Sequence, residues 1–105
     1  MEALDLPVGA FVIEPAFGRV VVVPDRAIQK IRRDHGSYYS PRRREILEAI
    51  ANADGNAPDP QAGRHRYWRD RVGGSRWLFI VVEYSPSGLG AVITAFPRRR
   101  LPRSR

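Results

Sequence analysis

The sequence contains no cysteine, only two histidines and no long apolar run. Without cysteine the chain forms neither disulfides nor thiolate metal sites. His35 and His65 show no HExxH-like spacing, so we expect no metal site and no cofactor. No segment approaches the roughly 18 apolar residues of a membrane-spanning helix, and the N-terminus lacks the pattern of a secretory signal. We therefore predict a cytoplasmic protein without a membrane partner.

Positive charge is distributed unevenly along the chain. Met1 to Asp25 holds four acids and one base (net −3), and Arg26 to Arg105 holds seventeen bases and seven acids (net +10), which together give the +7 of the whole chain. Lys30 is the only lysine. Arginine contacts phosphate through two donors at once, and such contacts release counterions. The composition predicts a polyanionic partner; codon usage in a GC-rich genome explains the arginine preference equally well, but not the excess of bases.

Two short strands and a helix are predicted before the tyrosine pair at Tyr38. Residues 10–13 have the composition of a short strand, and FGRVVVV (Phe17–Val23) is a β-branched run that ends at a proline. A helix then begins at Pro24 and Asp25, residue types that are typical of a first helical turn. Its apolar residues recur at three- and four-residue spacing, and Gly36 ends it.

A second helix is predicted from Ser40, which would cap it with Pro41 in the first turn, to about Ala53. Three arginines crowd that first turn, where the helix dipole disfavours positive charge. Such a local conflict often marks a functional site, although pairing of Arg44 with Glu48 one turn later is a plainer reason.

A loop and three strands are predicted for the rest of the chain. Residues 54–63 have loop composition. The strand 64–72 alternates and is polar, which indicates an edge, whereas the strand 76–84 is almost continuously apolar and therefore central. Gly73 and Gly74 predict a hairpin turn between them, and a last strand covers residues 89–96.

This order of elements predicts an α+β domain. Two helices from the N-terminal half pack on one face of a twisted antiparallel β-sheet of four to five strands, which leaves the other face, or the groove beside the sheet, for a ligand. Residues 1–16 form an N-terminal extension or short strand, residues 17–97 a single domain, and residues 98–105 a mobile basic tail.

Histidine and threonine supply the first candidates for chemistry. His35 is suited to general acid–base catalysis near neutral pH, or it interacts with the end of its helix dipole. Thr94 either bonds a phosphate oxygen or is an ordinary strand threonine; by alternation, Val92, Thr94 and Phe96 share one sheet face. His65 is a second acid–base candidate.

Arginine and aromatic residues supply the binding candidates. Three arginines from Arg98 to Arg100 either neutralise phosphate in a transition state or form a solvated tail. Arginine and aromatic side chains of the strand 64–72 either stack bases and hold a backbone or blunt an exposed edge. Tyr84 contributes to such a site or caps the core.

Five segments resemble the small nucleases of the barnase/EndoU/colicin/RelE superfamily, especially its toxin-like and phage-associated branch: KIRRDH, EILEAIANAD, RYWRDRV, WLFIVVEY and AVITAFPRRR. The resemblance covers roughly Val20 to Arg100, and VITAF is its most suggestive part. It implies helices packed on a four- or five-stranded antiparallel sheet, and RNA cleavage without a metal. The DGNAPDP insertion departs from the superfamily's shorter connection.

The resemblance also implies roles for residues. By position, His35 would be the acid–base residue, Thr94 a phosphate contact, and Lys30 or Arg33, with Arg98, the charge stabilisers. The further substrate-binding candidates are Arg32, Arg64, Arg66, Trp68, Arg69, Tyr84 and Arg99. The implied partners are RNA and an acidic antitoxin or immunity protein.

Two other functions remain open. A nucleic-acid-binding module would bind in a salt-sensitive way without cleavage, and a protein-interaction domain would dock an acidic partner on its basic face. The enzymatic hypothesis requires that the His35 imidazole and the Thr94 hydroxyl converge on one positively lined cleft.

Overall fold

The computed structural model describes residues 11–36, 42–70 and 77–98. Within these ranges, two helices and six strands follow the order β1 (Phe11–Ile13), β2 (Val20–Val22), α1 (Asp25–His35), α2 (Arg43–Ala51), β3 (Gly55–Pro58), β4 (Arg64–Asp70), β5 (Trp77–Tyr84) and β6 (Gly90–Arg98). The α+β class predicted from the sequence is therefore confirmed.

The strands form one mixed sheet with the order β1-β2-β6-β5-β4-β3. Neighbouring strands are antiparallel, except that β2 runs parallel to β6. The prediction of an antiparallel sheet of four to five strands was wrong in both strand number and sheet type. The cause is long-range pairing, because the chain places its second strand beside its last one, and no local pattern specifies such a partner.

The third strand occupies a segment that has loop composition. The segment 55–58 begins with Gly and ends with Pro, yet Asn56 pairs with Tyr67 and Pro58 with His65 across an antiparallel ladder. A proline is tolerated there because β3 is an edge strand. β4 consequently lies inside the sheet, and its prediction as an edge strand was wrong.

The first helix has the predicted limits, whereas the second is shorter than predicted. α1 begins after Pro24, and the Gly36 N–H donates to the Arg32 carbonyl at its end. α2 begins after Arg42, whose N–H donates to the Glu45 carboxylate at 2.7 Å. Ser40 and Pro41, the predicted start, lie outside the described residues.

The arginines at the start of α2 have acidic or carbonyl partners. Arg43 Nε donates to the Val23 carbonyl at 2.8 Å, and its guanidinium pairs with the Asp25 carboxylate. Arg44 pairs with Glu48 at 3.4 Å, as the sequence predicted. The Arg43 contacts join the start of α2 to the start of α1. Together with the Arg44–Glu48 pair, they account for these two arginines in an unfavourable part of the helix dipole.

Both helices pack on one face of the sheet, here called the helix face. Its core consists of Val21, Val23, Ala27, Ile28, Ile31, Ile46, Leu47, Ala49, Ile50, Tyr67, Leu78, Ile80, Val82, Val92 and Ala95. A bulge interrupts β6, since Val81 lies opposite Thr94 but Val82 lies opposite Val92. The extra residue changes the alternation, so Val92 joins the helix face and Thr94 lies on the other face. The prediction that Val92 shares a face with Thr94 was therefore wrong.

Several predicted features fall at the limits of the described ranges. β1 is the short strand expected at residues 10–13, and Arg98 is the last residue of β6, opposite Trp77. The Gly73–Gly74 turn and Arg99 lie outside the described residues.

Of the helices that the structure describes, neither has the length and apolar character needed to cross a membrane.

Candidate functional site

The predicted catalytic residues belong to elements on different sides of the sheet. α1, which carries Arg33 and ends at His35, packs on the helix face. Thr94 lies opposite Val81 on the other face, and Arg98 lies on that same face. The structure therefore does not bring the α1 cations together with Thr94. The side chain of His35 is outside what the structure describes.

The cations of α1 are solvated, and two of them are paired. Lys30 Nζ donates to the Asp34 carboxylate at 3.1 Å, and Arg33 Nε lies 3.5 Å from the same side chain. The hydrogen bond from Lys30 holds the pKa of Asp34 below its usual range. Arg32 is exposed. This surface has the character of a basic exterior rather than of a cleft.

The sheet face opposite the helices, here called the aromatic face, carries a row of stacked rings. Trp68 stacks on Phe79 with ring centres 5.5 Å apart, and Phe79 stacks on Phe96 at 6.0 Å. Arg98 Cζ lies 5.3 Å from the centre of the Phe79 ring, which has 0% exposure. Two predicted site residues, Trp68 and Arg98, therefore help to build a packed layer on the face that also carries Thr94.

Arginines of β4 are paired with neighbours. Arg66 Nε lies 3.1 Å from the Asp59 carboxylate, and Arg64 Nε lies 3.8 Å from that of Glu83. Arg69 donates to the Asn52 carbonyl at the end of α2, at 3.3 Å. Each predicted phosphate contact on this strand already has a protein partner.

A surface pocket of about 180 Å³ lies at one end of the sheet, where the β1–β2 turn meets the start of β4 and the end of β5. It is lined by Phe17, Arg19, Gly63, Arg64, His65 and Tyr84. Arg64 and Tyr84 were predicted as substrate-binding residues, and His65 as the second acid–base candidate.

A buried carboxylate holds the β1–β2 turn. Glu14 has 0% exposure, and its two oxygens accept the backbone N–H groups of Ala16 and Phe17 at 2.8 Å and that of Arg19 at 3.4 Å. The Glu14 N–H donates to the Arg19 carbonyl and the Gly18 N–H donates to the Glu14 carbonyl, which closes the same turn, and Gly18 adopts a φ of 72° within it. A left-handed residue is readily accommodated as glycine. Glu14 thereby fixes the backbone that carries Phe17 and Arg19.

Arg19 contacts two aromatic rings. Its Cζ lies 4.8 Å from the centre of the Phe17 ring and 4.5 Å from that of Tyr84. It forms no ion pair with any residue that the structure describes. Ring contacts use the face of a guanidinium and leave the N–H groups at its edge. Arg19 lines the pocket, and its N–H groups are available to a ligand there.

His65 presents an imidazole to the same pocket. Its Nε2 lies 2.7 Å from Oδ1 of Asn56 on the neighbouring edge strand, and its ring centre is 5.2 Å from those of Phe17 and Tyr67. Burial lowers the pKa of His65, as does Arg19, whereas Glu14 opposes the shift. A neutral ring whose Nε2 bonds an amide oxygen carries its proton there, so Nδ1 holds the lone pair.

Two tyrosine hydroxyls lie next to the imidazole. The hydroxyls of Tyr67 and Tyr84 share a hydrogen bond of 2.6 Å. Burial raises the pKa of both Tyr67 and Tyr84 above the usual range. Both hydroxyls therefore remain protonated at physiological pH, and Tyr84 places one of them at the wall of the pocket.

Sequence reasoning missed three residues of this site, Glu14, Phe17 and Arg19. The segment EPAFGR contains a proline and a glycine around an aromatic residue, which indicates a tight turn. Its single acid stands at the end of an apolar strand, where a carboxylate is expected only with partners. The prediction that residues 1–16 form an N-terminal extension or short strand divides this turn before Phe17. It therefore uses neither the turn signal nor the acid at the strand end.

Among the residues that the structure describes, no three His, Asp or Glu side chains are grouped so that they would hold a metal ion. The chain matches no protein-family model, no curated protein and no solved structure. The similarity to the barnase/EndoU/colicin/RelE superfamily therefore remains a prediction that rests on the five sequence segments.

Proposed function

We propose that this protein is a small metal-independent endoribonuclease that cleaves RNA in the pocket formed by His65, Arg19 and Tyr84. The observation that carries the proposal is that an imidazole with a lowered pKa lines the same pocket as a guanidinium that has no ionic partner within the described ranges. The resemblance to the nuclease superfamily supports the same activity, with a different histidine in the acid–base role.

His65 is the proposed general base. Its unprotonated nitrogen accepts the proton of the RNA 2′-hydroxyl, and the 2′-oxygen forms a bond to the adjacent phosphorus. The bond from phosphorus to the 5′-oxygen breaks, and that oxygen takes a proton from the Tyr84 hydroxyl or from water. The products are a 2′,3′-cyclic phosphate and a 5′-hydroxyl. Acid–base assistance of this kind contributes about 10²–10⁴-fold to a rate.

Arg19 is the proposed electrostatic catalyst. Negative charge grows on the non-bridging phosphate oxygens as the 2′-oxygen attacks, and the guanidinium donors of Arg19 are available to bind them. Because the two rings and the Glu14-bound turn fix Arg19 beforehand, little reorganisation is needed at the moment of reaction. One such donor is worth about 10²–10³-fold in rate.

The proposed biological role is that of a toxin in the cytoplasm, restrained by an acidic antitoxin or immunity protein. Exposed arginines on the helix side support the partner, since Arg26, Arg32 and Arg33 on α1 and Arg44 on α2 face solvent. The same charges would attract RNA without regard to sequence.

A non-catalytic nucleic-acid-binding module is the second candidate. One observation favours it: among the residues that the structure describes, Glu14 carries the only buried carboxylate near His65, and backbone N–H groups already occupy it. The described pocket thus offers one imidazole, and its other proton donor is the Tyr84 hydroxyl, whose pKa burial raises. A binding module would retain RNA on Arg19 and Phe17 and release no product.

Incubation of the purified protein with total RNA and with ribosomes, in the presence of EDTA, separates the two candidates. The enzymatic proposal predicts fragments that end in a 2′,3′-cyclic phosphate, and loss of these fragments in His65→Ala. Intact RNA at high protein concentration, together with salt-sensitive binding, would favour the binding module.

A further inference from the structure

We propose that Phe17 is a stacking platform for one unpaired nucleobase, so that the pocket takes single-stranded rather than duplex RNA. The inference deepens the proposed ribonuclease function and depends on it for its biological meaning. The binding site itself is tested without any cleavage step.

The first observation is the position of the Phe17 ring. It lies at the tip of the β1–β2 turn, lines the pocket and is 53% exposed. Its ring meets the His65 ring edge-on, at 86° and 5.2 Å between centres. An isolated exposed apolar residue is ordinary, but this ring is part of a polar pocket.

The second observation is the rigidity of the turn. The Glu14 carboxylate accepts the Phe17 N–H at 2.8 Å from a fully buried position. An aromatic ring on a fixed backbone loses little conformational freedom when a ligand stacks on it. The turn therefore presents Phe17 in a form that is ready for binding.

The third observation is the distance between the ring and the cation. Arg19 Cζ lies over the Phe17 ring, 4.8 Å from its centre. A base that stacks on the exposed remainder of the ring therefore has the guanidinium next to it for its phosphate. Aromatic side chains stack on any base, because every base has a π-face. Phe17 has no hydrogen-bonding group and thus confers no choice between bases.

Strand selectivity follows from the same chemistry. In a duplex each base is already stacked and paired, and it must leave the helix before it can reach a protein ring. Phe17 would therefore favour loops, ends and unpaired segments of RNA. Contacts of the exposed arginines with phosphate would bind both forms and would not discriminate.

Fluorescence anisotropy with a short 2′-O-methyl oligoribonucleotide tests the inference, because this strand lacks the nucleophile and is not cleaved. We expect Phe17→Ala to weaken binding of the single strand by about 5- to 150-fold, which is the range for loss of one base–aromatic stack. Phe17→Trp should keep the affinity. Leu89→Ala is the matched control, since Leu89 is 48% exposed and does not line the pocket.

The duplex of the same sequence completes the experiment. Phe17→Ala should leave duplex affinity and the circular dichroism spectrum unchanged, which separates lost stacking from misfolding. Equal losses for single strand and duplex, or unchanged single-strand binding by Phe17→Ala, would overturn the inference.

Cleavage by the wild-type protein is scored separately. Loss of single-strand binding in Phe17→Ala without any cleavage by the wild-type protein would support the stacking inference and contradict the ribonuclease proposal. Cleavage that Phe17→Ala does not affect would support the ribonuclease proposal and contradict the stacking inference.

Discussion

The Arg19 guanidinium lies 4.5 Å from the centre of the Tyr84 ring, on a turn that is more than sixty residues earlier in the chain. This contact joins the β1–β2 turn to the end of β5 and defines one wall of the pocket. Arg19 and His65 thereby line one pocket, which places the proposed phosphate-binding group beside the proposed general base.

Replacement of Arg19 tests the electrostatic part of the mechanism. Arg19→Ala should lower kcat/KM for RNA by about 10²–10³-fold, because one preorganised donor group to the transition state is lost. Arg19→Lys should recover only part of the loss, since an ammonium lacks the planar fork of a guanidinium. Arg26→Ala removes the same charge from the exposed side of α1 and serves as the control. Similar losses in Arg19→Ala and Arg26→Ala would indicate general charge attraction instead.

Removal of the Glu14 carboxylate should destabilise the fold. Glu14→Ala would leave the partly buried N–H groups of Ala16 and Phe17 without their acceptor, and an orphaned buried group costs about 1–3 kcal/mol. Urea unfolding should show a loss of about 2–4 kcal/mol in the free energy of unfolding. Glu45→Ala is a matched control, because Glu45 also accepts one backbone N–H but is exposed. Equal stability of the Glu14→Ala and wild-type proteins would contradict the role of Glu14 in the turn.

The pH dependence should follow His65. Because burial places the folded-state pKa of His65 below the ordinary 6.5, the folded imidazole binds a proton less readily than the unfolded one. Its contribution to stability is present above pH 6.5 and is lost as the pH falls through the folded-state pKa. The acid limb of kcat/KM should lie in the same range, below 6.5, and proton NMR titration of the imidazole measures the pKa directly.

Asn56 offers a way to move that pKa. Asn56→Asp would place a carboxylate at the position of the amide oxygen, 2.7 Å from Nε2, and an adjacent negative charge favours the imidazolium. The NMR titration of His65 and the acid limb of kcat/KM should both shift to higher pH. Asn52→Asp, at the end of α2, is the control substitution. A His65 titration that Asn56→Asp leaves unchanged would rule out this hydrogen bond in solution.

The aromatic face predicts a steric effect at Gly55. A Cβ built on Gly55 would lie 2.4 Å from Nε1 of Trp68, which is too close for the stacked row to remain in place. Gly55→Ala should therefore cost about 1–3 kcal/mol of stability, the usual range for overpacking. Gly63→Ala meets no neighbour within 4 Å but has a φ of 83°, so it measures backbone strain alone. Thermal unfolding of both variants compares the two effects.

Local signals in the sequence predicted the elements that depend on local contacts. Pro24 and Gly36 set the limits of α1, and the apolar run Trp77–Tyr84 identified the central strand. β3 was not predicted from the sequence, because its stability comes from pairing with β4, which overrides a loop-like composition. The parallel contact of β2 with β6 and the bulge in β6 are likewise tertiary features.

The candidate site was predicted only in part for the same reason. Arg64, Tyr84 and His65 lie on recognisable strands, and all three line the pocket. Arg19 and Phe17 reach it through a turn whose geometry depends on the buried Glu14 carboxylate. The side of the sheet that each residue faces decides which of them meet, and a single extra residue in β6 changed that alternation.

Cleavage of single-stranded RNA in EDTA by His65→Ala and His35→Ala, compared with the wild-type protein, is the most direct measurement. If the pocket is the active site, His65→Ala loses at least about 10²-fold in kcat/KM and His35→Ala retains most of the activity. A large loss in His35→Ala with little loss in His65→Ala would place the acid–base residue at the end of α1 instead. Wild-type protein that leaves the RNA intact would contradict the enzymatic proposal itself.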